Sequence, residues 1–169
     1  MTFSFLCATC GERHEGLPDL SFDAPFPYRQ MSPEQQASFA RLSSDFCAIA
    51  DEDFFIRACL EIPIAGEQGL FVWGVWVSLS RPNFERYQQD FDNPAPDVPP
   101  NFGWLCNRLP GYPETLNLKT RVHFRGGNLR PRIELEPTDH PLAVHQREGI
   151  TVEELQAVFE ANLHPKTHD

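Results

Sequence analysis

Long hydrophobic runs are missing from this sequence of 169 residues. The longest, residues 70–77, has about eight residues, whereas a helix that crosses a bilayer needs roughly 20. The first residues, MTFSFLCATC, contain no Lys or Arg and no extended apolar region before a cleavage site, which argues against a secretory signal. We therefore expect a cytoplasmic protein that does not bind a membrane.

Basic residues are also scarce. Lys and Arg number 14 against 24 Asp and Glu, and the formal net charge is −10. A surface of this charge repels phosphate backbones, so nucleic acid is not an expected partner. A basic protein is a better match, because complementary charge speeds the encounter of two proteins.

The centre of the predicted fold is a hairpin between residues 53 and 80. Residues 54–64 place apolar side chains on one face and mostly polar ones on the other, as a half-buried strand does. Residues 70–79 are largely apolar on both faces, which indicates a central strand. The connection, residues 65–69, carries two glycines and has hairpin length, so the two strands are predicted to pair antiparallel.

Capping residues predict three helices. Ser32, Ser80 and Thr151 stand where a side-chain oxygen can accept a hydrogen bond from the first turn, and Glu154 completes a capping box with Thr151. Apolar side chains recur at helical spacing behind each cap. They are Phe39, Leu42 and Phe46 in the first helix, Phe84, Tyr87 and Phe91 in the second, and Leu155, Val158, Phe159 and Leu163 in the third.

Two more strands, at residues 116–124 and 133–135, complete an α+β prediction. The expected fold is a single domain, residues 1–169, with an antiparallel β-sheet of about four to six strands and two to three helices packed on it. The remaining segments are predicted to be an irregular aromatic-rich stretch at 102–117, a proline-rich loop at 92–101, a turn-rich stretch at 136–141 and a frayed tail at 164–169.

An N-terminal cysteine knuckle, residues 5–16, is the strongest chemical signal. Cys7 and Cys10 are separated by two residues, so their thiolates can bind one tetrahedral ion from a tight turn. His14 is the predicted third ligand and Cys47 the preferred fourth, with the two remaining cysteines as alternatives. This set predicts a structural zinc site, and the alternative is a reduced cysteine pair in a turn without a metal.

The polar face of the sheet is a second candidate site. It collects basic residues that could hold a phosphate or a carboxylate: Arg57, Lys119, Arg121 and His123. An enzyme built on this face would use Cys59 or Cys106 as the nucleophile and His123 as the base. The alternative is ordinary charge pairing on a solvated strand face.

Long strings of the sequence carry a family resemblance. They are FFIRACLEIPI from Phe54, WGVWVSLS from Trp73, FGWLCNRLPGYPETLNLKTRVH from Phe102 and IELEPTDHPLAVHQREGIT from Ile133, together with the Cys7, Cys10, Gly11 and His14 knuckle. Over residues 7–155 the chain resembles the bacterial domain of unknown function 2199 family. The family pattern would have an acidic residue at His145 and a glycine at Ala58, so neither receives a family role. The resemblance implies one domain and no established activity.

Common catalytic signatures are absent, since the sequence has no G-x-S-x-G, P-loop or H-E-x-x-H motif. We therefore predict a small soluble bacterial protein with a structural zinc site that binds a protein partner, as an immunity protein neutralises a basic toxin. The alternative function is an enzyme or small-anion-binding protein that uses Cys59, Lys119, Arg121 and His123.

Overall fold

The computed structural model describes residues 3–16, 20–66, 69–93 and 99–164. This part of the chain contains ten strands and five helices. The strands are β1 (Ser4–Leu6), β2 (Arg13–Glu15), β3 (Leu20–Ser21), β4 (Ala40–Leu42), β5 (Phe46–Ile49), β6 (Asp53–Pro63), β7 (Leu70–Leu79), β8 (Asn101–Leu105), β9 (Lys119–His123) and β10 (Arg132–Leu135). The helices are α1 (Phe26–Arg29), α2 (Pro33–Phe39), α3 (Arg81–Asp90), α4 (Pro141–Glu148) and α5 (Val152–Leu163).

Five of these strands close into a barrel. β6 and β7 form the predicted antiparallel hairpin, with Phe54 opposite Leu79 and Pro63 opposite Leu70. β7, β8, β9 and β10 then pair in sequence order, each antiparallel to the one before. β10 returns to β6 in parallel, and this seam closes the ring.

The α+β prediction is confirmed, but the prediction of a simple antiparallel sheet with four to six strands and two to three helices is wrong. β6 is long enough to pair along one edge with β5 over its first half and with β10 over its second half. The sheet that contains the barrel therefore has eight strands, because β3, β5 and β4 extend beyond the ring. The seam pairs Arg132 with Cys59 and Ile133 with Leu60, which lie too far apart in sequence for a local pattern to reveal.

Alternate residues of β6 fill the barrel, as the half-buried strand pattern predicts. Ile56, Leu60 and Ile62 have no exposed surface.

The barrel also requires a close approach between β7 and β8, at Gly103. A Cβ atom there would lie 2.7 Å from the carbonyl oxygen of Ser78, so only glycine fits without a shift of the backbone.

The two later helices form as predicted. Ser80 caps α3 by accepting a hydrogen bond from the N–H of Asn83. Thr151 and Glu154 form the predicted reciprocal capping box of α5. The buried residues of these helices come from the predicted stripes, and they are Phe84 and Tyr87 in α3 and Leu155, Val158 and Phe159 in α5.

The first predicted helix is shorter than its apolar stripe. Its capping box at Ser32 is present, but α2 ends at Phe39, and Leu42 and Phe46 lie in β4 and β5. Phe39 is 60% exposed, so the stripe is not a buried helix face. Leu42 pairs with Cys47 across the β4–β5 hairpin, and this tertiary pairing overrides the helical spacing.

Two unpredicted elements bear on the barrel most directly, β8 within the ring and α4 beside it; β1–β5 and α1 were not predicted either. β8 lies within the stretch predicted to be irregular, because its pairing with β7 and β9 supplies the order that its sequence does not show. α4 begins at Pro141, the last residue of the stretch predicted to be turn-rich, and its cap is His140, whose Nδ1 accepts a hydrogen bond from the N–H of Leu142. Histidine is not a preferred capping residue, so the start of this helix was not recognised.

Three predicted segments lie partly outside the described residues. These are residues 67–68 of the hairpin connection, residues 94–98 of the proline-rich loop and residues 165–169 of the tail. His164, the first residue of the predicted tail, is described and is the C-cap of α5. Among the described residues, no helix combines the length and the apolar character that a bilayer crossing requires.

Candidate metal centre

The cysteine knuckle lies at the tip of a short antiparallel hairpin formed by β1 and β2. Within the connecting turn, the N–H of Cys7 donates to the carbonyl of Glu12 at 2.8 Å, and the N–H of Gly11 donates to the carbonyl of Cys7 at 2.9 Å. Gly11 has a φ of 75°, a left-handed conformation that glycine adopts without strain. The turn therefore holds Cys7 and Cys10 on the same side of the hairpin, next to His14 in β2.

Four potential metal ligands meet at this point. One ligand atom from each of Cys7, Cys10, His14 and His164 lies within 4.8 Å of all the others. The Sγ of Cys10 and the Nε2 of His14 are 3.4 Å apart. Ligand atoms around a tetrahedral zinc, with bonds of about 2.0–2.3 Å, lie roughly 3.3–3.8 Å from one another. Small side-chain adjustments would therefore bring all four atoms onto one ion.

His164 reaches the centre from the opposite end of the chain. It follows the last residue of α5, and its N–H donates to the carbonyl of Glu160 at 3.0 Å. The His164 and His14 rings are 5.9 Å apart. The Nε2 of His164 is buried and has no hydrogen-bond partner among the described residues. An unpaired buried nitrogen is unfavourable, and a bound metal ion at this centre would relieve it directly or through a change of ring orientation.

α5 is fixed against the hairpin by contacts that surround the centre. The N–H of Ala8 donates to Glu160 Oε1 at 2.7 Å, and Gln156 Nε2 donates to the carbonyl of Leu6 at 3.0 Å. The Phe159 ring packs edge-on against Phe3, with 5.4 Å between the ring centroids. We call this assembly of β1, β2 and α5 the chain-end clasp. Its contacts place His164 beside the knuckle without help from a metal.

The structure brings Cys7, Cys10 and His14 together, as the spacing predicts, but it does not bring Cys47 to them. Cys47 lies in β5, in a buried apolar cluster with Phe55, Trp76 and Cys106. Burial there raises the pKa of the Cys47 thiol to about 12, so the thiol stays protonated at neutral pH. His164 is the fourth member of the group instead. In the sequence it is only a histidine that follows a predicted helix.

The basic residues of the polar sheet face are not gathered into one site. Lys119 and Arg121 line a cleft of about 440 Å³, but Glu134 and Glu136 line it as well. Arg57 lies in β6 and is absent from the lining of that cleft. The cleft is therefore mixed in charge, which is typical of a solvated strand face.

His123 also belongs to this mixed surface. Its Nε2 is 3.9 Å from Glu134 Oε2, and it stands opposite Arg132 in the β9–β10 pairing. Partial burial, helped by Arg132, lowers the pKa of the His123 ring, which keeps the ring neutral at pH 7.

The two cysteines considered as nucleophiles are not activated. Burial raises the pKa of Cys59, despite the opposing effects of the nearby Arg125 and Arg130. Burial raises the pKa of Cys106 to about 12. Because the thiolate is the reactive form, both residues are held in the unreactive state. This geometry gives no support to an enzyme that uses these thiols.

Comparison with known proteins gives one result. A family model described as uncharacterised proteins conserved in bacteria, DUF2199, matches residues 6–150. No curated protein and no solved structure is significantly similar to the chain. The matched residues include Cys7, Cys10 and His14 and end before α5, so His164 lies outside them. Because the match spans most of the sequence, the chain belongs to the DUF2199 family of uncharacterised bacterial proteins.

Proposed function

We propose that this protein binds one zinc ion through Cys7, Cys10, His14 and His164. The observation that carries the proposal is the convergence of two thiols and two imidazoles, from both ends of the chain, within 4.8 Å of one another. Two sulfur and two nitrogen ligands form a common tetrahedral zinc set. Hard ions such as magnesium and calcium prefer oxygen ligands, which this group does not offer.

The proposed role of the zinc is structural. A catalytic zinc keeps one coordination position open for water or substrate, whereas four protein ligands fill the tetrahedral shell. The ion would join His14 in β2 to His164 at the end of α5, and so close the chain-end clasp. Metal binding would then contribute directly to the free energy of folding of this part of the molecule.

Metal analysis of the purified protein tests this proposal. The protein should be expressed in zinc-supplemented medium without a histidine tag, and it should contain about one zinc per chain. His164→Ala and Cys10→Ser should each reduce zinc affinity by at least about tenfold, since each removes a ligand. The matched controls are His123→Ala and Cys47→Ser, which should retain the native affinity. A protein that binds no zinc, or one in which only Cys47→Ser weakens binding, would contradict the proposed centre.

With the zinc in a structural role, we propose that the protein acts by binding a basic protein partner. The net charge of −10 favours such a partner at long range. At short range, β8 offers an exposed aromatic pair, Phe102 and Trp104, which meet edge to face with 4.9 Å between the ring centroids. Aromatic residues are enriched at protein interfaces, so this pair is the proposed contact point.

A capture experiment with matched variants tests partner binding. The native protein should retain a basic protein from an extract of its host, and the retention should weaken as the salt concentration rises. Trp104→Ser should abolish retention of the partner. Phe39→Ser changes an exposed aromatic residue in a different element, α2, and should leave retention intact. Equal retention by both variants, or retention that is insensitive to salt, would contradict this part of the proposal.

A further inference from the structure

The two thiols of the proposed zinc centre differ in their access to solvent. Cys10 is exposed at the tip of the hairpin, whereas Cys7 is only 1% exposed and belongs to the main hydrophobic core. A small oxidant in solution can therefore reach the Cys10 sulfur first. Cys7 lies three residues away in the same turn, where its sulfur can react with an oxidised Cys10.

We infer that the centre is redox-sensitive, and that a peroxide converts Cys7 and Cys10 to a disulfide and releases the zinc. This inference rests on the proposed zinc binding and adds a form of regulation to it. The physical basis is the pairing of an accessible sulfur with a nearby resolving sulfur in one metal site. Redox-sensing cysteines commonly have this arrangement, since the second thiol prevents irreversible oxidation of the first.

The reaction balances with hydrogen peroxide as the oxidant. The Cys10 thiolate attacks one peroxide oxygen, the O–O bond breaks, and a sulfenic acid forms on Cys10 as hydroxide leaves. The Cys7 thiolate then attacks the Cys10 sulfur, the S–S bond forms, and the S–O bond breaks with loss of a second hydroxide. Two protons from solvent convert the two hydroxides to water. The sulfurs supply the two electrons, and zinc leaves as the divalent ion because the disulfide sulfurs no longer carry the negative charge that held it.

The remaining cysteines make the reaction selective for this centre. Cys47 and Cys106 are buried, and burial raises the pKa of each thiol to about 12. Cys59 is half-buried, and burial raises its pKa as well. These three residues therefore stay largely protonated and react slowly with peroxide.

Zinc release should loosen the clasp without unfolding the barrel. His14 and His164 would lose their common ligand, but the hydrogen bonds from Ala8 to Glu160 and from Gln156 to Leu6 do not involve the metal. The effect should therefore be confined to the hairpin and the last turn of α5. Within that turn, Asn162 would keep its hydrogen bond to the carbonyl of Pro110 at 3.1 Å, so the loosening should be centred on His164, the C-cap.

Peroxide titration of the zinc-loaded, full-length protein tests the inference. Released zinc is followed with a chromogenic chelator, and peptide mass mapping identifies the oxidised cysteines. We expect zinc release to parallel the loss of two thiols, a disulfide between Cys7 and Cys10, and full recovery of zinc binding after a thiol reductant and zinc are added. Cys59→Ser is the matched control, and its zinc release should proceed at the native rate.

The outcomes separate the inference from the proposal on which it rests. A protein that contains no zinc before oxidation overturns the proposed centre and the redox inference together. A protein that contains zinc but keeps it while peroxide oxidises other cysteines overturns only the redox inference. Zinc release that accompanies sulfonic acid on Cys10, with no disulfide and no recovery after reduction, also overturns the reversible reaction inferred here.

Discussion

The barrel and the chain-end clasp are stabilised in different ways. In the barrel, β6 and β7 pair along their full length and bury side chains such as Leu60 and Trp73 completely. In the clasp, β1 and β2 have three residues each, and Leu6 is 60% exposed. Burial of apolar surface therefore stabilises the barrel over many residues. α5 shares the hydrophobic core of the barrel through residues such as Phe159. Only the hairpin end of the clasp depends mainly on single hydrogen bonds and on the proposed metal, so a change there should have a local effect.

The largest predicted effect comes from a cavity in the barrel. Leu60 is fully buried beside the parallel seam, where it pairs with Trp73 on one side and Ile133 on the other. Leu60→Ala should lower the free energy of unfolding by about 2–5 kcal/mol, because the surrounding strands cannot collapse into the space. Urea denaturation followed by tryptophan fluorescence measures this change.

The clasp provides the matched control for that measurement. Leu6→Ala changes the same residue type in an exposed position of β1, and its effect should stay within about 0.5 kcal/mol. If the two leucine variants were destabilised equally, the proposed difference between the barrel and the clasp would be lost.

A smaller effect is predicted for a polar group buried beside the barrel. The Asn107 side chain accepts a hydrogen bond from the N–H of Trp76 at 2.7 Å and donates to the carbonyl of Ala24 at 3.1 Å. Asn107→Ala leaves both backbone groups without this partner and should cost about 1–3 kcal/mol. Thermal or urea unfolding measures the loss. No measurable change would show that water replaces the amide. This part of the barrel wall would then tolerate a substitution with as little loss of stability as the exposed position in the clasp.

Chelation of the proposed zinc should have a local effect, and it compares the two regions within one molecule. After removal of the metal, amide hydrogen exchange should become faster in residues 3–16 and at the end of α5. The amides of β6 and β7 should keep their protection, because their stability comes from the barrel. Hydrogen-exchange mass spectrometry resolves the two regions. Equal loss of protection in β6 and β7 would show that the barrel also depends on the metal.

The same comparison explains what could be predicted from the sequence. The β6–β7 hairpin, the caps of α3 and α5, and the pairing of Cys7 with Cys10 and His14 are local features, and the structure places each as expected. These patterns extend over a few residues, so the sequence shows them directly. Whether the knuckle binds a metal stays a prediction, and so does the single-domain organisation.

The features that the sequence analysis missed depend on contacts between distant residues. The parallel seam needs β10 to meet β6, and the fourth potential ligand needs α5 to dock against the N-terminal hairpin. Cys47 is the preferred fourth ligand in the sequence because it lies in a short segment that leads into the first central strand, and His164 is not among the candidates considered there. The apolar cluster around Phe55 and Trp76 holds Cys47 in the sheet instead. The position of His164 depends on the packing of α5 against the N-terminal hairpin, which no local pattern in the sequence reveals.

The smallest predicted effect is a pH dependence at the base of α5. His145 in α4 joins two neighbours: its Nδ1 lies 2.8 Å from the Tyr112 hydroxyl, and its Nε2 lies 2.7 Å from Glu154 Oε2. The hydrogen bond from His145, with further bonds from Thr151, lowers the pKa of Glu154 from its ordinary value of 4.5 to about 2. A carboxyl group with a depressed pKa in the folded state stabilises the fold only while it is ionised.

The lowered pKa of Glu154 sets the pH range in which this carboxylate stabilises the fold. The contribution of Glu154 should be fully present above about pH 4.5 and should be lost as the pH falls towards about 2. Its side chain is 47% exposed, so solvent screening keeps the contribution small. Unfolding of the native protein and of Glu154→Gln should be compared between pH 2 and pH 6. The stability difference between the native protein and Glu154→Gln should shrink as the pH falls through this range. Glu153→Gln, which removes one charge from the same helical turn, is the comparison variant for the change in net charge. A difference between native and Glu154→Gln that stays constant with pH would show that the carboxyl acts only as a neutral cap, and that charge plays no part in holding α5 in place.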